Sequence, residues 1–257
     1  MSVYTTEIAS ARLDSDNPIH QRLVKAYYLA LPYIEGEVLE IGCGEGRGIE
    51  LLYENCQRYV AIDKIAPVIE RLSRQFPEVE FHQMNIPPMT DFADGSFDRI
   101  ISFQVIEHIK DDLSFLQEIK RILKKGGQAL ITTPNNKFTL TRNPWHQREY
   151  LSHELQQLAK SVFDEVQIYG IKGNKKVMEY YRQNKLSVQR ITRFDILDLQ
   201  HRLPASWLRI PYDLLNRINR RSLQRDDDHL VSSISHEDYQ LTEIAGDGLD
   251  LFCVLTK

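Results

Sequence analysis

Residues 38–48 read VLEIGCGEGRG, an apolar run that closes on Glu40 and breaks into four glycines within seven residues. The run reads as a strand, and residues 42–48 read as a turn with almost no side chains. Glycine lets a backbone enter the left-handed region and lets another group approach the main chain closely. One or two glycines suffice for a tight turn, so a surplus points to a ligand lying against the backbone. In a doubly wound sheet, the glycine-rich turn leaving the first strand is where nucleotides bind, with the amides of the next helix close by.

Outward from this turn, apolar β-type runs alternate with helical patterns as far as about residue 171. Strands are expected near 37–41, 58–62, 79–83, 97–102, 127–133 and 165–171, with one more at 249–257. Such alternation marks a parallel sheet with helical crossovers. In LSFLQEIKRILKK (113–125), Leu113, Leu116, Ile119, Ile122 and Leu123 recur at helical spacing, and Gly126-Gly127 is expected to end that helix. NPIHQRLVKAYYLALPYI (17–34) reads as an amphipathic helix covering the site. With 257 residues, 42% of them hydrophobic, the chain can bury one large α/β core, and residues 1–257 are read as a single domain. A net charge of −4 does not describe a general nucleic-acid binder, and no nucleic-acid partner is expected. Cys43, Cys56 and Cys253 have no metal-type spacing and are too few for a disulfide framework, which favours a reducing compartment, the cytoplasm by default. The opening residues lack a signal-peptide pattern, and no apolar run reaches the ~18 residues of a spanning helix.

Spacing within the turn selects among nucleotide ligands. A dinucleotide fingerprint, G-x-G-x-x-G, would need glycine where Arg47 stands when counted from Gly42, and where Ile49 stands when counted from Gly44. The E-x-G-x-G-x-G found here instead resembles the class I S-adenosylmethionine-dependent methyltransferases, particularly the group related to ubiquinone and menaquinone biosynthesis methyltransferases. Further segments keep order and distance with it: Asp63 in YVAIDKI, 21 residues after Gly42; MNIPPM (84–89); DGSFDRIISFQVIEHIKD (94–111); and KRILKKGGQALITTPN (120–135). The resemblance covers roughly residues 35–171. It implies a Rossmann-like, doubly wound α/β fold with seven mostly parallel strands, the last near 250–256 antiparallel, and a helical insertion before it.

The same resemblance implies S-adenosylmethionine as cofactor and S-adenosylhomocysteine as product. Asp63 would accept hydrogen bonds from the ribose hydroxyls. Glu40, Gly42, Cys43, Gly44, Gly46 and Lys64 would also contact the cofactor. The MNIPPM turn, with Asn85 and Ile86, would pack on adenine, and Asn85 stands where the family usually has an acidic residue. Phe103, Gln104 and His108 fall near the cofactor, and Tyr27 and Arg22 would reach its methionine end. Each has a plainer reading: Asp63 as a turn residue or helix cap, Phe103 and Gln104 as a strand end, His108 as a helix-start residue, and Tyr27 and Arg22 as packing.

Methyl transfer to a hydroxyl benefits from a general base, and histidine near its ordinary pKa suits that task. TPNNKFTLTRNPWHQREYLSHEL (133–155) follows the fifth strand, at the carboxyl edge of the sheet, and carries Asn135, Asn143, Trp145, His146, Glu149 and Tyr150. His146 is the favoured base or acceptor-orienting group, with His108 the other candidate; the plainer reading makes Trp145 and Tyr150 packing residues and His146 a loop side chain. No clustered carboxylates of the kind a bound metal would need are visible in these loops, so no metal is expected.

Residues 172–225 differ from the rest, with 13 Lys/Arg against 4 Asp/Glu, inside a helical, basic insertion running to 248. Trp207, Leu208, Ile210, Leu214, Leu215 and Ile218 mix there with Arg202, Arg209, Arg217, Arg220 and Arg221. The pattern suits a peripheral helix on an anionic lipid surface, or a helical cap that builds the substrate pocket or a homodimer interface. The expected function is methyl transfer, at oxygen, to a small-molecule, lipid-linked or glycan-linked acceptor. An NAD(P)-dependent oxidoreductase and a catalytically silent cofactor-binding module are the alternatives.

Overall fold

The computed structural model describes residues 13–193, 195 and 198–257. Eight strands form one sheet: β1 (Glu37–Ile41), β2 (Arg58–Asp63), β3 (Glu80–Gln83), β4 (Phe97–Phe103), β5 (Leu123–Pro134), β6 (Glu165–Gly173), β7 (Tyr239–Thr242) and β8 (Asp250–Thr256), in the order β3-β2-β1-β4-β5-β8-β6-β7. Strands β1 to β5 are mutually parallel, while β8 runs antiparallel to both β5 and β6. The helices are α1 (Asn17–Ala30), α2 (Ile49–Leu52), α3 (Ala66–Gln75), α4 (Asp112–Ile122), α5 (Ser152–Lys160), α6 (Lys175–Thr192), α7 (Leu199–Arg202), α8 (Ala205–Asp226) and α9 (Asp228–Ser233).

Both faces of the sheet are covered, because successive strand side chains point to opposite sides. In β1 and β2, Val38, Tyr59 and Ala61 pack with Ala26, Tyr27 and Ala30 of α1, whereas Leu39, Ile41, Val60 and Ile62 pack with Phe115, Leu116 and Ile119 of α4. The chain starts at β1, moves outward to β3, and returns to β4 on the other side of β1. The order therefore reverses between β1 and β4, and a crevice opens beyond their carboxyl ends, where such sheets bind ligands.

Two expectations are corrected. The sequence leads to seven strands and eight form: β7, only four residues long, adds to the edge through antiparallel pairing with β6 alone. So short an edge strand leaves almost no pattern in sequence. The helix expected over 113–125 ends at Ile122, because Leu123 already has extended backbone and pairs with Phe97. Gly126 is thus not a helix cap; it lies inside β5 beside a register shift, with φ +74°, and its amide donates to the Lys257 carbonyl at 2.8 Å.

Before β8 the chain makes α6 to α9. Asn174 caps α6 by accepting from the Lys176 and Val177 amides, at 2.9 and 3.1 Å. Helices α6 and α8 pack together over the sheet face that carries α1, with Val177, Tyr180, Leu223 and Val231 joining that core.

Candidate active site

Past Ile41 the chain turns at once, with φ of +78° at Gly42 and +51° at Gly44. The amides of Gly42 and Cys43 both donate to the Ile62 carbonyl, at 2.8 and 3.1 Å, pinning the turn to β2. A Cβ on Gly42 would stand 2.5 Å from Val105 Cγ2, so the loop after β4 demands glycine there. A Cβ on Gly44 would meet nothing within 4 Å, because that side of the residue faces open space. That space is a cavity of about 270 Å³, lined by Gly42, Cys43, Gly44, Asp63, Lys64 and Tyr27 on one side and by Asn85, Ile86, Phe103, Gln104 and His108 on the other.

Every expected cofactor residue lines this cavity except Glu40, Gly46 and Arg22. The missing Cβ of Gly46 would sit 2.6 Å from Leu72 Cδ2, so that glycine lets α3 pack close to the turn rather than shaping the cavity. Glu40 lies beneath the surface, 1% exposed, and its two carboxylate oxygens accept from the hydroxyls of Tyr27 (2.8 Å) and Tyr59 (2.9 Å). Burial pushes its carboxyl up to about 7 despite those bonds. Glu40 is therefore separated from the cavity by Tyr27, whose ring meets Phe103 edge-on with centroids 4.9 Å apart and faces the cavity.

Asp63 is held by two backbone amides: Oδ2 accepts from Gly44 at 2.9 Å and Oδ1 from Ile65 at 3.0 Å. Each carboxylate oxygen keeps a further lone pair for a ligand hydroxyl. Arg47 also lines the cavity, although in sequence it stands out only as a break in the glycine spacing. Its Nε donates to His20 Nδ1 at 3.1 Å; burial and then this guanidinium hold His20 down to about 4. Gln104, at the end of β4, is a non-glycine residue with φ +58°, a conformation costing roughly 1–2 kcal/mol. Its amide donates to the Thr132 carbonyl at 2.9 Å.

A second cavity, of about 260 Å³, shares Leu23, Gln104 and His108 with the first. Three segments far apart in sequence build it: α1, the stretch after β5, and the inserted helices, the last contributing Tyr180, Asn184, Tyr212, Asn216, Asn219 and Arg220. Arg22 lines this cavity rather than the first, correcting its expected place at the cofactor, and lies 3.1 Å from the buried Asp250. Of the residues expected after β5, Asn143, His146 and Glu149 line the cavity. Tyr150 is fully buried and donates to Asp112 at 2.8 Å, and Asn135 donates to the Gly248 carbonyl at 2.8 Å, so both serve packing. Trp145 donates from Nε1 to Asp213 at 3.1 Å and carries the Arg209 guanidinium 4.2 Å above its ring, tying this stretch to α8.

Both nitrogens of His146 are engaged. Nδ1 lies 2.6 Å from Glu149 Oε1 and Nε2 lies 2.8 Å from Asn143 Nδ2. The orientation of Asn143 is set independently, because its Oδ1 accepts from the Trp145 amide at 3.0 Å. The amide group thus donates to Nε2, and Nδ1–H donates to the carboxylate. Thr139 Oγ1 donates to the other oxygen of Glu149. His108 stands edge-on to His146, with ring centroids 4.9 Å apart, and its Nδ1 donates to the Trp145 carbonyl at 3.0 Å. Below them Glu107 is buried, accepts from Thr133 Oγ1 at 3.0 Å, and is pushed by burial up to about 7.

Glu107, His108 and His146 also offer ligand atoms within 4.8 Å of one another and could hold a cation. Sequence gives no sign of this cluster, because it contains only one carboxylate and His146 lies 38 residues beyond His108.

The sheet order and the glycine turn over an open cavity define a doubly wound α/β architecture with a ligand crevice at its switch point, next to a second cavity. Residues 39–131 match the family model described as a methyltransferase domain. A probable S-adenosylmethionine-dependent methyltransferase of Mycolicibacterium smegmatis is 35% identical over 136 residues, which is 51% of this chain and 52% of that protein. A ubiquinone biosynthesis O-methyltransferase of Xanthomonas campestris is 28% identical over 46% of this chain and 50% of its own. The fold matches a SAM-dependent methyltransferase of Thermotoga maritima with a TM-score of 0.57, over 95% of this chain and 91% of that one, at 18% identity. Residues 39–131 thus resemble a methyltransferase domain of the S-adenosylmethionine-dependent kind, and the fold is that of such methyltransferases. It spans about half the length of the curated relatives it matches. The first cavity fits that cofactor: a side-chain-free wall at Gly44 and a carboxylate fixed by backbone at Asp63 are what an adenosine ribose would need.

Proposed function

We propose that this chain moves the methyl group of S-adenosylmethionine to an oxygen of an acceptor held in the second cavity, with His146 as general base. When bound, the cofactor supplies an electrophilic methyl group. The protein's task is then to hold the acceptor in line, keep water out and take a proton. The observation that carries this reading is the placement of His146: Nδ1–H faces Glu149, while Nε2 receives a donor from Asn143. An acceptor hydroxyl that takes over the donor role of Asn143 would face the basic nitrogen directly. Glu149 would fix the tautomer and stabilise the imidazolium once the proton has moved.

The wall of amides and hydroxyls from Asn184, Asn216, Asn219, Tyr180 and Tyr212 suits an acceptor bearing hydroxyls, whether a small molecule or the head of a lipid- or glycan-linked one. The relative from Xanthomonas, an O-methyltransferase by description, supports oxygen as the methylated atom. The relatives from Mycolicibacterium and Xanthomonas are described as a probable S-adenosylmethionine-dependent methyltransferase and an O-methyltransferase, and neither supports a nicotinamide reading. The test is transfer of labelled methyl from the cofactor into small-molecule, glycan and lipid pools. The expected product carries label on oxygen and is lost in His146→Asn; label on nitrogen or carbon, or full activity in that variant, refutes the reading.

The triad of Glu107, His108 and His146 supports a second reading, in which a divalent cation activates the acceptor hydroxyl. Loss of transfer on chelation and recovery with added zinc, iron(II) or manganese would favour it over the base.

A further inference from the structure

Helix α8 is amphipathic in the wrong sense for a helix of a soluble protein. Tyr212, Asn216, Asn219 and Arg220 turn inward and line the second cavity. On the opposite side Trp207 (71% exposed), Ile210 (80%), Leu214 (60%) and Ile218 (54%) recur at intervals of three and four residues and point outward. The polar side is thus toward the protein and the apolar side toward solvent. One exposed apolar residue needs no explanation, but a continuous stripe of them marks a docking surface.

Charge narrows the occupant. Arg221 and Arg225 are exposed and fall on the same side of α8 as the stripe, one turn and two turns beyond Ile218. The segment 172–225 carries a net charge of +9 within a chain whose total is −4. A symmetric dimer through this face would set two stripes, each bordered by the like charges of Arg221 and Arg225, against each other. The stripe is also one helix wide and about 17 Å long, too small for the roughly 800 Å² per partner that a stable dimer buries. An apolar stripe bordered by arginines, with tryptophan near one end, is instead the pattern of a helix lying in the headgroup boundary of a bilayer.

We propose that the outward face of α8 docks on the surface of a bilayer containing anionic lipid, with Trp207, Ile210, Leu214 and Ile218 inserted at the headgroup boundary and Arg221 and Arg225 on the lipid charges. Among the described residues no helix is long and apolar enough to cross a membrane. If the methyl-transfer reading also holds, the wall of the acceptor cavity is the helix that touches lipid, and a lipid-borne acceptor head has only one helix thickness to pass.

The experiment is co-sedimentation of the full chain with phosphatidylcholine vesicles containing about 30% phosphatidylserine, at roughly 50 mM salt. Binding should fall at least about tenfold in the variant Trp207→Ser, Ile210→Ser, Leu214→Ser, Ile218→Ser, and by a similar factor in Arg221→Glu, Arg225→Glu. None of these side chains lines either cavity, so S-adenosylhomocysteine binding by calorimetry should stay unchanged and report an intact fold. That readout does not depend on finding an acceptor, so failure of membrane docking is separable from failure of the enzymatic reading. Native protein that ignores anionic vesicles, or binding indifferent to the charge reversals, overturns the proposal. A dimer in sedimentation equilibrium that dissociates in the four-residue variant also overturns it, by assigning the face to a second copy.

Discussion

The two cavities meet at Gln104 and His108, yet they are built in different ways. The first comes mainly from the turns that follow β1, β2, β3 and β4, with Leu23 and Tyr27 of α1 on one side, and its turn is set by backbone: left-handed angles at Gly42 and Gly44 and two amides on Asp63. The second comes from side chains on α1, on the stretch after β5 and on α6 and α8, with α1 separated from the others by more than a hundred residues. A backbone-built site leaves a local signature, because specific residues are required at fixed positions along one turn. A side-chain-built site leaves none until the fold brings its parts together. The first cavity should accordingly fail abruptly when altered, and the second by degrees.

The largest effect is expected from Gly42→Val. It places a branched side chain at φ +78° and into Val105, 2.5 Å from its Cβ position, so either the turn or the loop after β4 must move. Strain and overpacking of this kind cost about 2–4 kcal/mol, and the cavity loses its shape as well. Calorimetry should show S-adenosylhomocysteine binding weakened by about 100-fold or more. Near-native binding would mean the turn is not what grips the ligand.

Next comes the proton path. His146→Asn should lower methyl transfer by about 10²–10⁴-fold while leaving S-adenosylhomocysteine affinity within about twofold, since His146 does not line the first cavity. Glu149→Gln should lose less, because Nδ1–H keeps an acceptor but the imidazolium loses its counter-charge. Equal losses in transfer and in cofactor affinity would break the separation of the two halves.

The same difference decides what can be read in sequence. All strands but β7, the glycine turn, and the placement of Asp63, Gln104 and His108 beside it are legible because each sits at a register position that the sheet imposes. Glu40 belongs to the right stretch but not to the cavity wall: nothing in sequence shows that Tyr27, 13 residues upstream, and Tyr59, 19 residues downstream, enclose its carboxylate. Arg47 is hidden for the same reason, since its burial depends on α1 folding over the turn. The basic segment is visible by charge alone, but which side of α8 faces the cavity depends on the packing of α6 and α8.

Glu40 offers a smaller, pH-dependent test of that enclosed site. Its carboxyl stands at about 7 in the folded chain against 4.5 for the free group, facing Tyr27, Tyr59, Asp63 and Arg47. Between those values the folded state holds the proton more tightly than the unfolded one. The resulting stability is complete below about pH 4.5 and is lost as pH rises through 7. His20, lowered from 6.5 to about 4, works in the opposite sense between those two values. Thermal melts are therefore best read as the difference between the native chain and Glu40→Gln, which should remove a fall of about 1–3 kcal/mol between roughly pH 5 and 8. Parallel curves would show that the carboxyl is solvated and that Tyr27 is oriented by something else.

The smallest effect is expected on the far wall of the second cavity. Asn216 projects inward from α8 and bonds the Tyr212 hydroxyl, so Asn216→Leu keeps the volume of the wall while removing one polar partner. A single hydrogen bond to a neutral group is worth about 0.5–1.5 kcal/mol net, which sets the expected rise in acceptor KM at about threefold to tenfold, with S-adenosylhomocysteine affinity unchanged. Because many side chains share the wall, no one of them should be decisive, in contrast to Gly42. A complete loss of activity in Asn216→Leu, with the cofactor still bound, would show that the acceptor site is as tightly specified as the glycine turn, and the contrast between a backbone-built and a side-chain-built half would no longer hold.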